Sequence, residues 1–254
     1  MWTVGEGYER YMAGWSRLVA RRFLPWLDAP PGLRWLDVGC GTGALTAEVV
    51  RRCRPADVLG VDRSAAFVVA AAPGASYLVA DAGSLPVRGA SRDVVVSGLF
   101  LNFPPVPEAV LAELVRVVRP GGIVAGYVWD YGSGMRLLRH FWDAAALADP
   151  AAAALDEARR FPLCHPARLR ALWAGVGLVD VACEALTVRR VFASFAEVWE
   201  PFHTGQGPAP GYVVSLDPDR RERLRLALRD RLPAGPDGSI RLAAGAWAVR
   251  GRRR

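Results

Sequence analysis

The sequence predicts a doubly wound α/β fold with a mostly parallel sheet, and three observations carry that prediction. Short, near-continuous apolar runs alternate with helix-period segments from Leu33 to about Trp129. A glycine-rich stretch, "WLDVGCGTGAL" at 35–45, joins the first apolar run to the first helical pattern. After Trp129 the rhythm changes to longer helical segments before two further strand patterns. Apolar strands separated by amphipathic helices require a sheet covered on both faces and right-handed crossovers.

In chain order, Tyr8 to Leu27 reads as one or two helices, with Trp15, Leu18, Val19 and Phe23 at helical spacing, a segment suited to packing across the open end of a sheet. Strands follow at Leu33 to Val38, Val58 to Val61, Ser76 to Ala80, Asp93 to Ser97 and Gly122 to Trp129. Helices fall between them at Ala44 to Cys53, Ser64 to Ala72 and Pro107 to Val118. Arg119, Pro120, Gly121 and Gly122 then supply a basic last turn and a stop. Beyond Trp129, helices are expected at Gly132 to Leu147, His165 to Ala174, Phe192 to Phe202 and Pro218 to Leu232. Leu178 to Val188 and Ile240 to Val249 complete a set of seven strands. "EPFHTGQGPAPGY" at 200–212 reads as a glycine- and proline-rich loop able to close over a pocket. The whole chain, 1–254, is expected to form one domain. It divides into an N-terminal helical segment (1–30), a ligand-binding core (31–130) and helical lid insertions at 131–161 and 192–235.

With 254 residues and 52% hydrophobic content, the chain can bury a large core. All 32 basic residues are arginine, giving a net charge of +7. They are interleaved with acids, as in Asp217, Asp219, Arg220, Arg221, Glu222 and Arg223, so that run reads as a solvated face rather than a nucleic-acid patch. Arg252, Arg253 and Arg254 read as a frayed tail. Cys40, Cys53, Cys164 and Cys183 are widely spaced, with neither a CxxC pair nor metal-ligand spacing, so a reduced cytoplasmic setting and no metal are expected. Glu6, Glu9 and Arg10 break any leader-like apolar stretch, and no apolar run approaches the roughly 20 residues needed to cross a bilayer.

A loop that leaves a strand and enters a helix points backbone N–H groups at a ligand, and its glycines remove the Cβ atoms that would hold the ligand off. Gly39, Gly41 and Ala44 satisfy the dinucleotide fingerprint G-x-G-x-x-A, which keeps an NAD-dependent oxidoreductase as an alternative. Asp37 discriminates. Two positions before Gly39, an unpaired carboxylate would repel a pyrophosphate and attract a cation, such as the ammonium of S-adenosylmethionine.

"LDVGCGTG" resembles the first motif of class I S-adenosylmethionine-dependent methyltransferases, and the similarity continues in order over roughly residues 8 to 130. It is nearest to the small-molecule, type 11-like branch, and implies a Rossmann-like methyltransferase fold. Asp62 in "VLGVDRS" ends the second strand, where a carboxylate accepts hydrogen bonds from both ribose hydroxyls; Arg63 follows it. The resemblance places Asp81 and Ala82 of "YLVADAGSLP" beside the adenine amino group. It also places the end of the fourth strand in "DVVVSGLFLNF", with Ser97 and Leu99, beside the methyl group, and matches "ELVRVVRPGGIVAG" to the helix and fifth strand that follow. Cys40 lies in the loop itself, and Arg17 belongs to a leading helix, with Tyr11, that reaches the cofactor in related enzymes. Each has a plainer reading: Asp62 and Asp81 as strand-end turn formers, Cys40 as a small loop residue, Phe100 and Phe103 as core, Arg17 as an exposed helix charge.

The implied reaction moves a methyl group from S-adenosylmethionine to a small-molecule acceptor by in-line displacement. Its leaving group needs no proton, so alignment carries much of the catalysis. A hydroxyl acceptor would benefit from a base, for which the candidates are His203, Tyr131 and His140, with Asp130 beside Tyr131 and His165 read as structural. Trp129, Tyr131, Trp142, Trp199 and His203 suggest a partly aromatic pocket or, alternatively, helical core. A nucleic-acid methyltransferase remains an alternative, although Ser97, Gly98, Leu99 and Phe100 stand where amino-methylating enzymes of that kind carry Asn or Asp, two prolines and an aromatic. A non-catalytic cofactor-binding partner protein is the other.

Overall fold

The computed structural model describes residues 12, 14–205 and 207–254; Tyr8 and Tyr11 lie outside them. Helix α1 (Gly14–Leu27) carries Pro25 within its last turn, and Asp28 closes the helix in the left-handed region at φ 51°. The alternating part runs β1 (Arg34–Val38), α2 (Ala44–Cys53), β2 (Asp57–Asp62), α3 (Ala65–Val69), β3 (Ser76–Val79), β4 (Arg92–Gly98), α4 (Pro107–Val117) and β5 (Val118–Trp129). Then come α5 (Arg136–Ala148), a 3-10 turn (Pro150–Leu155), α6 (Glu157–Arg160), α7 (Pro166–Gly175), β6 (Val179–Phe192) and α8 (Phe195–Trp199). A second 3-10 turn (Glu200–Thr204), α9 (Pro208–Ser215), α10 (Pro218–Arg231) and β7 (Ile240–Arg252) complete the chain.

The sheet has seven strands in the order β3-β2-β1-β4-β5-β7-β6. Strands β1 to β5 are mutually parallel, with Asp37 level with Gly60 of β2 and Val96 of β4. The chain winds outward from β1 to β3 and then returns to the other side of β1. That reversal makes the carboxyl ends of β1 and β4 the switch point at which doubly wound sheets bind ligands.

The chain forms two compact units. The first comprises residues 16–128, 163–186 and 246–254. One part of its interior gathers Leu36, Val38 and Val95 of the sheet, Leu111 and Leu114 of α4, and Trp173 of α7, whose Nε1–H donates to Val124 O at 3.1 Å. Elsewhere in this unit Phe23 of α1 meets Tyr127 at 4.8 Å. Glu48, buried on α2, is held by Arg21, Arg51 and Arg52.

The second unit comprises residues 129–162 and 187–245, with the described residues up to Trp15. Its interior is aromatic. Phe141 stacks on Phe202 at 4.7 Å with 8° between rings, Trp142 meets Phe141 edge-on, and Trp199 and Tyr212 pack around them. Buried Trp142 donates its Nε1–H to Glu157, and Arg139 pairs with Asp156. Trp142 and Trp199 are therefore interior residues of this unit.

Several expectations need correction. The stretch read as a loop contains a 3-10 turn and α9: Pro208 and Pro210 fall in the first turn of that helix, where backbone N–H groups have no intrahelical acceptor to lose. Helix α5 starts four residues late because Asp130 captures Ser133 through its N–H and Oγ. Strand β5 begins at Val118, directly after α4, with left-handed Gly121 absorbing the irregularity. The terminal arginines are not frayed: Arg252 ends β7, and Arg253 Nη1 donates to the last carbonyls of α4 at Val115 and Arg116, both 3.0 Å, and to Val118 O at 2.6 Å.

Candidate active site

The loop after β1 is pinned to β2, since the N–H groups of Gly39 and Cys40 both donate to Val61 O, at 2.8 and 3.0 Å. Gly39, Gly41 and Gly43 all adopt positive φ, at 72°, 55° and 81°, where side chains are disfavoured. Their reasons differ. A Cβ at Gly39 would lie 2.2 Å from Phe100 Cγ, and one at Gly43 2.8 Å from Tyr77 Oη, so these two glycines let protein groups pack. A Cβ at Gly41 would meet nothing within 4 Å. Of the three, Gly41 alone opens onto free space. At Gly39 the space a side chain would take is filled by Phe100.

Asp37 is 1% exposed. Its Oδ2 accepts from Thr46 Oγ1 at 2.7 Å, while its buried Oδ1 has no hydrogen-bond partner. Burial pushes its carboxyl up to about 7; the Thr46 hydrogen bonds oppose the shift and the Asp62 charge adds to it. A buried carboxylate oxygen without a donor is costly, and a cationic donor relieves both desolvation and the missing bond. The residues therefore fit a ligand carrying an ammonium group.

Asp62 sits at the carboxyl end of β2 and accepts from Gly41 N–H at 3.0 Å and from Ser64 N–H at 2.9 Å. A carboxylate offers about four acceptor positions, so about two remain after these bonds. Arg63 beside it is exposed. Asp81 is exposed two residues beyond β3 and accepts from Gly83 N–H, while Ala82 packs partly against the core. Cys40 is buried, and burial pushes its thiol up, so it stays a protonated packing group. Ser97 is wholly buried within β4 with its Oγ unpartnered. Leu99, just past the strand, holds φ 62° and donates its N–H to Tyr127 O at 2.8 Å. Arg17 is exposed on α1.

Among the base candidates, His165 caps α7 by accepting from Ala167 N–H through Nδ1. Asp130 is occupied by Ser133, and Tyr131 is buried with its ring 5.5 Å from that of Phe161. His203 is exposed and meets Trp199 edge-on at 5.6 Å. His140 is half-buried on α5, and burial holds its imidazole below the usual range, with Asp143 opposing. Among the described residues no His, Cys, Asp or Glu group is arranged to hold a metal, and no helix is long and apolar enough to cross a membrane.

Sequence reasoning missed Thr46 and Ser64. Thr46 was marked only by being a polar residue on the apolar face of α2, between Leu45 and Val49. Ser64 has the usual chemistry of a helix cap, and its side chain accepts from Phe67 N–H at the start of α3.

Residues 36–126 match the family described as "Methyltransferase domain". The chain is 33% identical to trans-aconitate 2-methyltransferase of Deinococcus radiodurans over 162 residues, 59% of this chain and 60% of that protein. It is 31% identical to malonyl-[acyl-carrier protein] O-methyltransferase of a Marinomonas species, over 50% of this chain and 49% of that protein. It thus spans about half to three-fifths of the length of these relatives. The fold also superposes on Haemonchus contortus phosphoethanolamine N-methyltransferase 2, solved with S-adenosylhomocysteine, at a TM-score of 0.58 and 16% identity, covering 98% of this chain and 56% of that one. Sheet order, glycine loop and sequence likeness agree on a methyltransferase domain at residues 36–126.

Proposed function

We propose that the protein transfers a methyl group from S-adenosylmethionine to a small-molecule acceptor. When bound, the cofactor supplies a sulfonium methyl group with a neutral thioether as its leaving group. The observation that carries the reading is the buried, unpartnered Oδ1 of Asp37 at the head of the loop that opens at Gly41. An ammonium group satisfies that atom; a pyrophosphate does not.

In this reading the backbone at Gly39, Cys40 and Gly41 lies along the amino-acid end of the cofactor. Asp62 spends its two remaining acceptor positions on the ribose hydroxyls. Asp81 and Ala82 border the adenine, Arg63 flanks the ribose, Arg17 reaches the carboxylate, and Leu99, after buried Ser97, lies at the methyl. Positioning supplies most of the rate, and good alignment is worth about 7 to 11 kcal/mol in favourable cases. A hydroxyl acceptor would benefit from a general base, for which His203, Tyr131 and His140 are the candidates. His140 has the better chemistry, because burial keeps it neutral and able to take a proton. One relative above is named for trans-aconitate and the other for a malonyl group on acyl carrier protein, so small carboxylic acids and malonyl thioesters are the first acceptors to assay. The absence of disulfides among the four cysteines fits a reducing, cytoplasmic setting.

Calorimetry with S-adenosylmethionine and with NAD tests the cofactor, and tight NAD binding without S-adenosylmethionine binding overturns the reading. Release of S-adenosylhomocysteine from a small-molecule extract tests turnover. Binding without release favours the non-catalytic partner, and tRNA or duplex binding that weakens steeply with salt favours the nucleic-acid enzyme.

A further inference from the structure

The second, largely helical unit holds a groove of about 630 Å³ that shares no residue with the glycine loop or Asp62. Its size falls within the roughly 300 to 1,000 Å³ typical of small-molecule sites. One wall comes from α8 and the turn after it: Phe195 and Trp199, one helical turn apart, lie with their rings 6.2 Å apart and 17° from parallel, and His203 stands beside Trp199. The other wall is a ladder of arginines on α10. Arg221, Arg225 and Arg229 recur every four residues and so share one face of the helix.

The guanidinium donors divide unevenly. Arg221 uses Nε and Nη2 on the carbonyls of Val213, Val214 and Leu216, and Arg225 uses Nε and Nη2 on Glu222. Arg229 has Asp230 at 3.6 Å, too far for a hydrogen bond. Nη1 of Arg221, Nη1 of Arg225 and the whole fork of Arg229 therefore have no hydrogen-bond partner among the described residues. The groove's lining carries three arginines against Glu200 and Glu222, one positive charge in excess, with Asp230 ion-paired to Arg229 beside it, and Arg225 already lies 5.9 Å from the Phe195 ring centroid.

We propose that this groove is a second small-molecule site and takes a planar aromatic ligand bearing an anionic group, a carboxylate or a phosphate ester. The ring lies against half-buried Phe195, with buried Trp199 behind it, and the anion is gripped by Arg229 and by Nη1 of Arg225 in a charge-assisted, fork-like contact. Aromatic faces alone would accept a neutral ring equally well, and the arginine ladder is what selects the charge.

The test is calorimetry on the full chain saturated with S-adenosylhomocysteine, using 2-naphthoate, 2-naphthyl phosphate and neutral 2-naphthamide. The expected result is saturable binding of at least one of the two anions, at least about tenfold tighter than the amide, the worth of one charge-assisted hydrogen bond. The tighter anion identifies the source of the charge. Arg229→Gln removes an exposed side chain and should lose that tenfold preference, Arg229→Lys should recover part of it, and Phe195→Ala should weaken all three probes together. No saturable binding of either anion, equal binding of the amide, or anion binding unchanged in Arg229→Gln would each overturn the proposal.

Discussion

Asp37 makes cofactor binding depend on pH in a way that can be worked out. Without ligand its carboxyl titrates at about 7, because burial outweighs the hydrogen bonds from Thr46. To pair with an ammonium group it must be ionised, so binding expels the proton wherever the free protein holds one. Each pH unit below 7 therefore weakens binding by about tenfold, or about 1.36 kcal/mol. Above about pH 8 the ligand's own α-amino group begins to lose its charge, which gives affinity a maximum near neutrality. Calorimetry at about pH 6 in two buffers of different ionisation enthalpy should record close to one proton released per S-adenosylmethionine bound. Asp37→Asn should abolish the acid limb and the proton release, which separates Asp37 from Glu157, whose carboxyl burial also pushes up to about 7. A flat affinity from about pH 5.5 to 7.5, or an acid limb that survives in Asp37→Asn, would refute the reasoning. The same shift acts on stability with the opposite sense. The folded pKa is raised, so the contribution is fully present below the unfolded value of 3.8 and is lost as pH rises through about 7, costing up to about 4 kcal/mol in the ligand-free protein.

Gly39→Ala should lower stability by about 1 to 3 kcal/mol in urea unfolding, because its Cβ overlaps Phe100. Gly41→Ala should cost only the left-handed backbone penalty, about 1 to 2 kcal/mol, while weakening S-adenosylmethionine binding in calorimetry. Asp62→Ala should weaken cofactor binding by at least about 3 kcal/mol, for two charge-assisted bonds lost, and should also speed hydrogen exchange at Gly41, whose N–H loses its acceptor. At Glu48, burial works to raise the carboxyl, but hydrogen bonds from Arg21, Arg52 and Arg51 outweigh it and hold the group at about 2. The folded pKa is lowered, so its contribution is present above 4.5 and is lost as pH falls toward 2. Since the arginines are largely exposed, Glu48→Gln should cost about 1 to 2 kcal/mol at neutral pH and nothing near pH 2, as read from denaturation midpoints.

The sheet was legible because its central strands β1, β4 and β5 are buried on both faces and read as nearly unbroken apolar text, and because Gly and Pro punctuate strand ends. Strands β1 to β4 lie within two residues of the expected bounds at each end. What failed depended on partners distant in sequence. Helix α9 was hidden because proline and glycine signal a break by composition, whereas their effect depends on position, and a first turn forgives them. The loop aspartates stood out by spacing. The contrast between Gly39 and Gly41 did not, since it rests on Phe100, 61 positions later, folding back onto the first glycine but not the second. Thr46 gives no local sign that it faces Asp37. Trp142 and Trp199 suited a pocket or a core equally well, and only their neighbours Phe141 and Phe202 decide for the core.

Arg253 gives the last residues a mechanical role out of proportion to their blandness on paper. One guanidinium nitrogen there holds three carbonyls at the close of α4, as a clasp holds the end of a strap. Trimming the chain back past residue 252 would leave those oxygens facing water, and the seam between α4 and β5 would become the place where unravelling starts.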